Sequence, residues 1–227
     1  MEPLSPQVMH KLVFTILVHG LPDAQTGLAL DVLLDAQSNP NPQVRELAVV
    51  ALAELPVAPA RRVTGLVSAL RDPSSRVRRR AARALGDFGV YGLPAIPALT
   101  VSLRDPDASV RRDSAGTLGR FGPSSSGAVP TLVPMLGDPE TRTRVVVATA
   151  LKRIGGLAIP GLLDGLRHPD SELRARVITL LAQIGPHDDD VVAALRTATS
   201  DQDAEVRRRA GESLDALMVP LATMVGL

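Results

Sequence analysis

The stretch DPSSRVRRRAARALGDFG (72–89) returns thirty-three residues later as DPDASVRRDSAGTLGRFG (105–122). Asp-Pro, Val-Arg, an alanine, Leu-Gly and Phe-Gly are kept while the positions between them drift. The arginine of the Val-Arg step recurs through the whole chain as Arg45, Arg78, Arg111, Arg144, Arg174 and Arg207, at gaps of 33, 33, 33, 30 and 33 residues. Six residues before each stands Asn39, Asp72, Asp105, Asp138, His168 or Asp201, and seven after each stands a leucine, from Leu52 to Leu214. A fixed period of this length marks a stacked repeat, in which each unit is too small to bury its own apolar face.

Within one period the pattern is helical. Val77, Ala81, Leu85 and Phe88 fall on one face of a 3.6-residue helix, with Asp72-Pro73-Ser74 as its start signal and Gly89 as its stop. A second short amphipathic helix is predicted in LPAIPALTVSLR (93–104), opened by proline. A connection of about five residues makes the two helices antiparallel neighbours. Small residues such as Ala81, Ala82, Ser114 and Ala115 let second helices approach closely. The expectation is an all-α, right-handed α-solenoid of about six helical hairpins, forming one domain over 1–227. Residues 1–22 form a capping helix, 23–218 the repeats and 219–227 an apolar tail.

Composition narrows the chemistry. The 227 residues contain no Cys and no Trp, and aromatic residues make up 2%. This excludes disulfides, thiolate metal sites and cysteine nucleophiles, and suits a reducing, cytoplasmic setting. The formal charge is +1, so net charge alone draws the chain to no polyanion. No apolar run reaches the roughly 20 residues of a membrane span.

The pattern DP…VRRRAARALGDFG resembles the HEAT repeat, in particular the short bacterial type also found in phycobilin lyases. It covers about residues 24–218. The resemblance implies a solenoid fold that hosts scaffolds, lyases and glycosylases alike, so it does not choose an activity.

Six copies of an Asp/Arg pair read as structure, because an active site needs one copy. Arg45, Arg78, Arg111, Arg144, Arg174 and Arg207, with Asp72, Asp105, Asp138 and Asp201, are expected to form a ladder tying repeats together. The four histidines are scattered and lack the His-Glu pairs that iron-binding relatives of this fold use, so no metal or other cofactor is expected. His187-Asp188-Asp189-Asp190 is explained by a helix start. With Tyr91 and three phenylalanines as the only aromatic residues, no base-stacking cleft or tetrapyrrole cradle is expected.

The expected interaction surface is the inner face made by the second helices. Its columns read Arg79, Arg80, Arg83, Arg112, Asp113 and Arg120 in two repeats, then Val145, Val146 and Thr149 in the next. The expectation is a non-catalytic scaffold or adaptor that binds another protein there, through an amphipathic helix or extended segment with acidic residues. The alternatives are a nucleic-acid binder using the arginine-rich end, and a lyase- or chaperone-like enzyme accessory.

Overall fold

The computed structural model describes residues 4–19 and 22–218. They fold as two compact units that divide between Phe121 and Gly122. Every regular element among the described residues is helical. The apolar tail expected at 219–227 lies outside the described residues.

Unit one begins with α1 (Pro6–Phe14), capped by the Ser5 hydroxyl accepting from the Val8 N–H, and continues through a π-turn at Thr15–His19. The hairpins α2 (Asp23–Ala36) with α3 (Pro42–Glu54), α4 (Pro59–Ala69) with α5 (Ser75–Leu85), and α6 (Ile96–Ser102) with α7 (Ala108–Phe121) follow. Unit two repeats the plan with α8 (Val129–Leu132) and α9 (Thr141–Ile154), α10 (Ile159–Gly165) and α11 (Ser171–Ile184), and α12 (Asp189–Ala198) and α13 (Ala204–Met218). In unit one the second helices stack as α1 on α3, α3 on α5 and α5 on α7. In unit two α9 packs on α11 and α11 on α13.

The 33-residue register sets what is buried. Ala48, Ala81, Ser114, Val147, Val177 and Ala210 occupy one column, and all are fully buried. Their small or β-branched side chains let neighbouring helices close up. Leu52, Leu85, Leu118, Leu151 and Leu181 fill the space between, also fully buried, whereas Leu214 in the last hairpin is only half-buried. The Ser114 hydroxyl has no partner among the described residues. Size, not polarity, selects that position.

Between one hairpin and the next the chain must stop a helix and reverse within a few residues. In three successive repeats this happens at Gly89, Gly122 and Gly155, with φ of 53°, 57° and 73°. A side chain is strained in that left-handed region, so glycine is required. A 3₁₀ segment then leads into the next helix, at Gly86–Ala95, Gly122–Ala128 and Gly155–Ala158. The first helix of the third hairpin therefore begins at Ile96, three residues later than the sequence pattern predicts. Ser75–Ser102 and Thr141–Gly165 are apolar and long enough to cross a membrane by composition. Each is broken midway by such a glycine and folds as two helices.

The α3–α4 turn, Leu55 to Ala58, has no glycine, and it solves the same problem differently. Arg62 donates to the Leu52 carbonyl at 2.8 Å, to the Val57 carbonyl at 3.2 Å and to the Ala53 carbonyl, satisfying the orphan groups at the end of α3. Its guanidinium lies 4.6 Å from the centroid of the Phe88 ring. Burial pushes the Arg62 pKa down. In the next three hairpins the Arg62 position holds Ala95, Ala128 and Ala158, all fully buried.

Candidate interaction site

Five of the second helices begin at Xaa-Pro turns and the last at Asp201-Gln202, and one arginine holds each turn. Arg45, Arg78, Arg111, Arg144, Arg174 and Arg207 all use Nη1 to donate to the carbonyls six and five residues earlier, at 2.7 to 3.2 Å. The turn residue folds inward to accept the backbone N–H two residues on. Asn39, Asp72, Asp105, Asp138 and Asp201 do so with Oδ1, and His168 does so with Nδ1. Asp72 thus shapes the turn before α5, while the N-cap is Ser74, whose side chain makes no capping bond.

The other edge of the guanidinium reaches the next repeat. Arg45 grips Asp72 through Nε and Nη2 at 2.7 and 2.9 Å, and Arg78 grips Asp105 at 2.6 and 2.8 Å. In unit two Arg174 grips Asp201 at 3.0 and 2.8 Å. The fork matches carboxylate geometry, and the pairs are largely out of water. The bond from Arg174 holds the Asp201 carboxyl below its ordinary range, and Asp201 raises the Arg174 pKa in turn.

Two rungs differ. At the N-terminal end Met9 stands where the arginine would be, fully buried, and the matching turn residue is Asn39. With no arginine to receive, the Asn39 amide donates instead to the Leu4 carbonyl at 2.9 Å. At the 30-residue repeat only one partner has changed. His168 has replaced the carboxylate and its Nδ1 is already accepting, but Arg144 remains. Among the described residues Arg144 meets no carboxylate; its Nη2 donates to the Thr141 hydroxyl at 2.9 Å.

Arg144 also lines a groove of about 550 Å³ on the second-helix face of unit two. One wall is α9, through Thr141, Arg144, Val145, Ala148 and Lys152, and the facing helix is α11, through Glu172, Ala175, Arg176, Thr179, Leu180 and Gln183. Glu205 and Arg209 of α13 close one end. The spacings of three, four and seven put each set on one helical stripe. Val145 is 60% exposed, the apolar feature of this wall most open to solvent. Arg176 is tied to the Leu136 carbonyl at 3.0 Å and to Glu172 at 2.5 Å. Glu205 accepts from Arg208 and Arg209, which push its pKa down to about 2.

Of the three residues expected here, Val145 lines the groove. Val146 and Thr149 do not: both are half-buried on the adjacent flank of α9, and the Thr149 hydroxyl donates back to the Val145 carbonyl at 2.9 Å. A step of one residue turns a side chain by about 100°, which separates the two valines. A second concavity of about 570 Å³, lined by Leu163, Leu166, Asp190, Ala194 and Val206 among others, lies between α10 and α12. Asp188 caps α12 by accepting from the Val191 N–H at 3.1 Å.

The arginines expected at the basic end lie in unit one and are largely engaged. Arg80 donates to Glu46 at 3.2 Å, and Arg120 donates to Asp87 at 2.6 Å and to the Arg83 carbonyl at 2.8 Å. The Arg120 guanidinium lies over Gly86, where a Cβ would meet it at 2.3 Å. Asp113 sits among Arg112, Arg79, Arg83 and Arg120; burial raises its pKa and these four cations oppose the rise. Arg79 and Arg83 make no side-chain hydrogen bond among the described residues.

A stack of such hairpins defines the class: an all-α solenoid of the HEAT and armadillo kind. The family model for HEAT repeats matches residues 30–115, 96–158 and 159–223, and the chain belongs to the HEAT-repeat family. No curated protein sequence matches it significantly. Among solved structures it is similar to the complex of CpcE and CpcF of phycocyanin lyase from Nostoc, with 26% identity over 83% of this chain and 76% of that one, at a TM-score of 0.51. It also resembles a designed armadillo repeat protein in complex with the peptide (KR)4, with 17% identity over 83% and 99% of the two chains and a TM-score of 0.52. Importin beta shares 15% identity with a TM-score of 0.66, and the match covers 92% of this chain but 33% of importin beta. Repeat scaffolds of this kind generally mediate protein interactions and are generally non-catalytic.

Proposed function

We propose that the chain is a non-catalytic interaction module that binds a segment of a partner protein in the groove between α9, α11 and α13. The observation that carries this reading is Val145, an aliphatic side chain 60% exposed in the wall of a concave surface. A partner's apolar side chains would gain by covering it, at about 25 cal/mol per Å² before the costs of association. The polar residues around the rim would fix register and orientation. The complex of an armadillo repeat protein with a peptide among the structural neighbours supports a peptide as the kind of ligand.

Nucleic-acid binding through the arginines of unit one is the weaker reading, because Glu46, Asp87 and Asp113 already neutralise much of that surface. A polyanion would have to compete with carboxylates held against the same guanidinium groups.

A photo-crosslinking amino acid placed at position 145, with position 101 on the exposed side of α6 as control, tests the proposal in the native cell. The expected result is a discrete polypeptide adduct from 145 that is absent from 101. Adducts to nucleic acid alone, or equal labelling from both positions, would overturn it.

A further inference from the structure

We infer that the groove selects a partner segment by a carboxylate, which docks on the edge of Arg144 that its own ladder leaves unpaired. This deepens the proposed function and rests on it. Arg45, Arg78 and Arg174 hold their turn carbonyls with Nη1 and present Nε and Nη2 as a fork, and in each the fork closes on an aspartate 27 residues on. Arg144 has the same Nη1 bonds, to the Asp138 and Pro139 carbonyls at 2.8 and 3.2 Å, so the same anchor positions it. Three residues are missing from the following hairpin, and its turn residue is His168. The imidazole accepts the Asp170 N–H at Nδ1, which places its proton on Nε2 in the neutral ring. It therefore has no lone pair to offer a guanidinium. Arg144 Nη2 turns to the neutral Thr141 hydroxyl, Nε makes no bond among the described residues, and the side chain lines the groove.

The comparison with Met9 and Asn39 shows that the loss at Arg144 is one-sided. Where the chain dispenses with a rung at its N-terminal end, both partners are replaced and the amide finds a carbonyl. At Arg144 the cation is kept while its internal anion is gone. The groove's other charges add to the same preference. Arg144, Lys152, Arg176 and Arg209 stand against Glu172 and Glu205, and both acids are already engaged by arginines. A cationic segment would meet repulsion here, and a neutral one would leave the fork without an anionic partner. The occupant is an aspartate or glutamate side chain of a partner peptide whose neighbouring aliphatic residues lie against Val145, Ala148 and Ala175.

A random displayed-peptide library selected on the full chain, with counter-selection on the Val145→Asp protein, reads this directly. Groove-dependent peptides should share one acidic position beside aliphatic residues. Changing that acid to its amide should weaken binding about tenfold, as expected for loss of a charge-assisted pair. Selection on Arg144→Gln should keep the aliphatic positions and lose the acid, while Arg167→Gln, on an exposed side chain outside the groove, should change nothing. Groove-dependent peptides without a common acid, or an acid retained on Arg144→Gln, would overturn the carboxylate assignment and leave the peptide groove standing. If no selected peptide depends on Val145, the groove reading itself fails.

Discussion

Replacing Arg174 by Gln should destabilise the protein far more than replacing Arg144 by Gln, although both arginines hold their own turns alike. Arg174 donates to the His168 and Pro169 carbonyls at 2.8 and 3.0 Å, and Arg144 to the Asp138 and Pro139 carbonyls at 2.8 and 3.2 Å. Losing those bonds to partly hydrated carbonyls costs each variant about 1–2 kcal/mol. Arg174 alone carries the fork on Asp201, with side chains 5% and 17% exposed. Two charge-assisted bonds disappear, and Asp201 keeps only the Asp203 N–H at 2.8 Å. Stranding a mostly buried carboxylate adds about 3 kcal/mol. For a chain of this size that difference corresponds to a gap of about 6–12 °C in Tm between the two variants.

Thermal and urea melts followed by helical circular dichroism at neutral pH measure the gap. Asp201→Asn supplies the other half of a double-mutant cycle: the double variant should lose less than the sum of the singles, because neither then leaves a lone charge. High salt should leave the gap largely intact, since a pair so shielded from water is weakly screened. If Arg144→Gln melts together with Arg174→Gln, the carboxylate contributes nothing. The arginines would then act through their turns alone.

Three further outcomes follow from the same geometry. Folded-state pKa values of Asp107, Asp201 and Asp203 lie below 3.8, so the stability they contribute is present above that value and lost as pH falls through the folded values. Asp113 is shifted upward and opposes this, so urea melts should show little change from neutral pH to about 5 and a decline below about 4, with the deficit of Arg174→Gln shrinking there. Ser114→Ala should raise stability by about 1 kcal/mol, because the buried hydroxyl has no partner among the described residues and alanine fills the same column at Ala48, Ala81 and Ala210; a loss in the melt would mean the hydroxyl is bonded after all. Gly155→Ala and Gly27→Ala both add a methyl to open space, yet their signs should differ: the first is strained at φ 73° and should cost about 1–2 kcal/mol, and the second lies within α2 and should gain up to about 1 kcal/mol. Equal melts for the pair would remove backbone conformation as the cause.

The repeat and the helical hairpins were legible because they depend on residues that recur. Valine before arginine, leucine seven later and a small residue between them state which face is buried without any knowledge of the neighbour. Arg62 was not legible in this way, since it occurs once. Its signal was an absence: residues 55–58 lack the glycine found at 89, 122 and 155, so the carbonyls ending α3 needed another donor. The neighbours Val145 and Val146 could not be ranked from sequence, because both belong to an aliphatic run and only the packing of α9 against α11 decides which one faces the groove. In the basic columns of unit one Asp87 and Asp113 were visible in the sequence, but which arginines they meet was not. Glu46 reaches Arg80 from α3 and Asp87 reaches Arg120 from the turn after α5, while Asp113 stands beside Arg112 in α7 itself.

The same contrast bears on where binding energy would come from. To use the arginines of unit one, a ligand must first displace or tolerate Asp113, Asp87 and Glu46, so each new ion pair replaces or competes with an existing one. The groove in unit two starts from less compensated surface. Covering Val145, at 60% exposure, contributes about 1 kcal/mol by transfer alone. Arg144 adds a fork that is already partly positioned, because its Nη1 is held by two carbonyls. A carboxylate arriving there gains the interaction without the full entropic cost of fixing a long side chain. Affinity would therefore rest on the aliphatic wall, and selectivity on a cation that the repeat itself has positioned. Removing the wall should abolish binding, whereas removing the cation should broaden it.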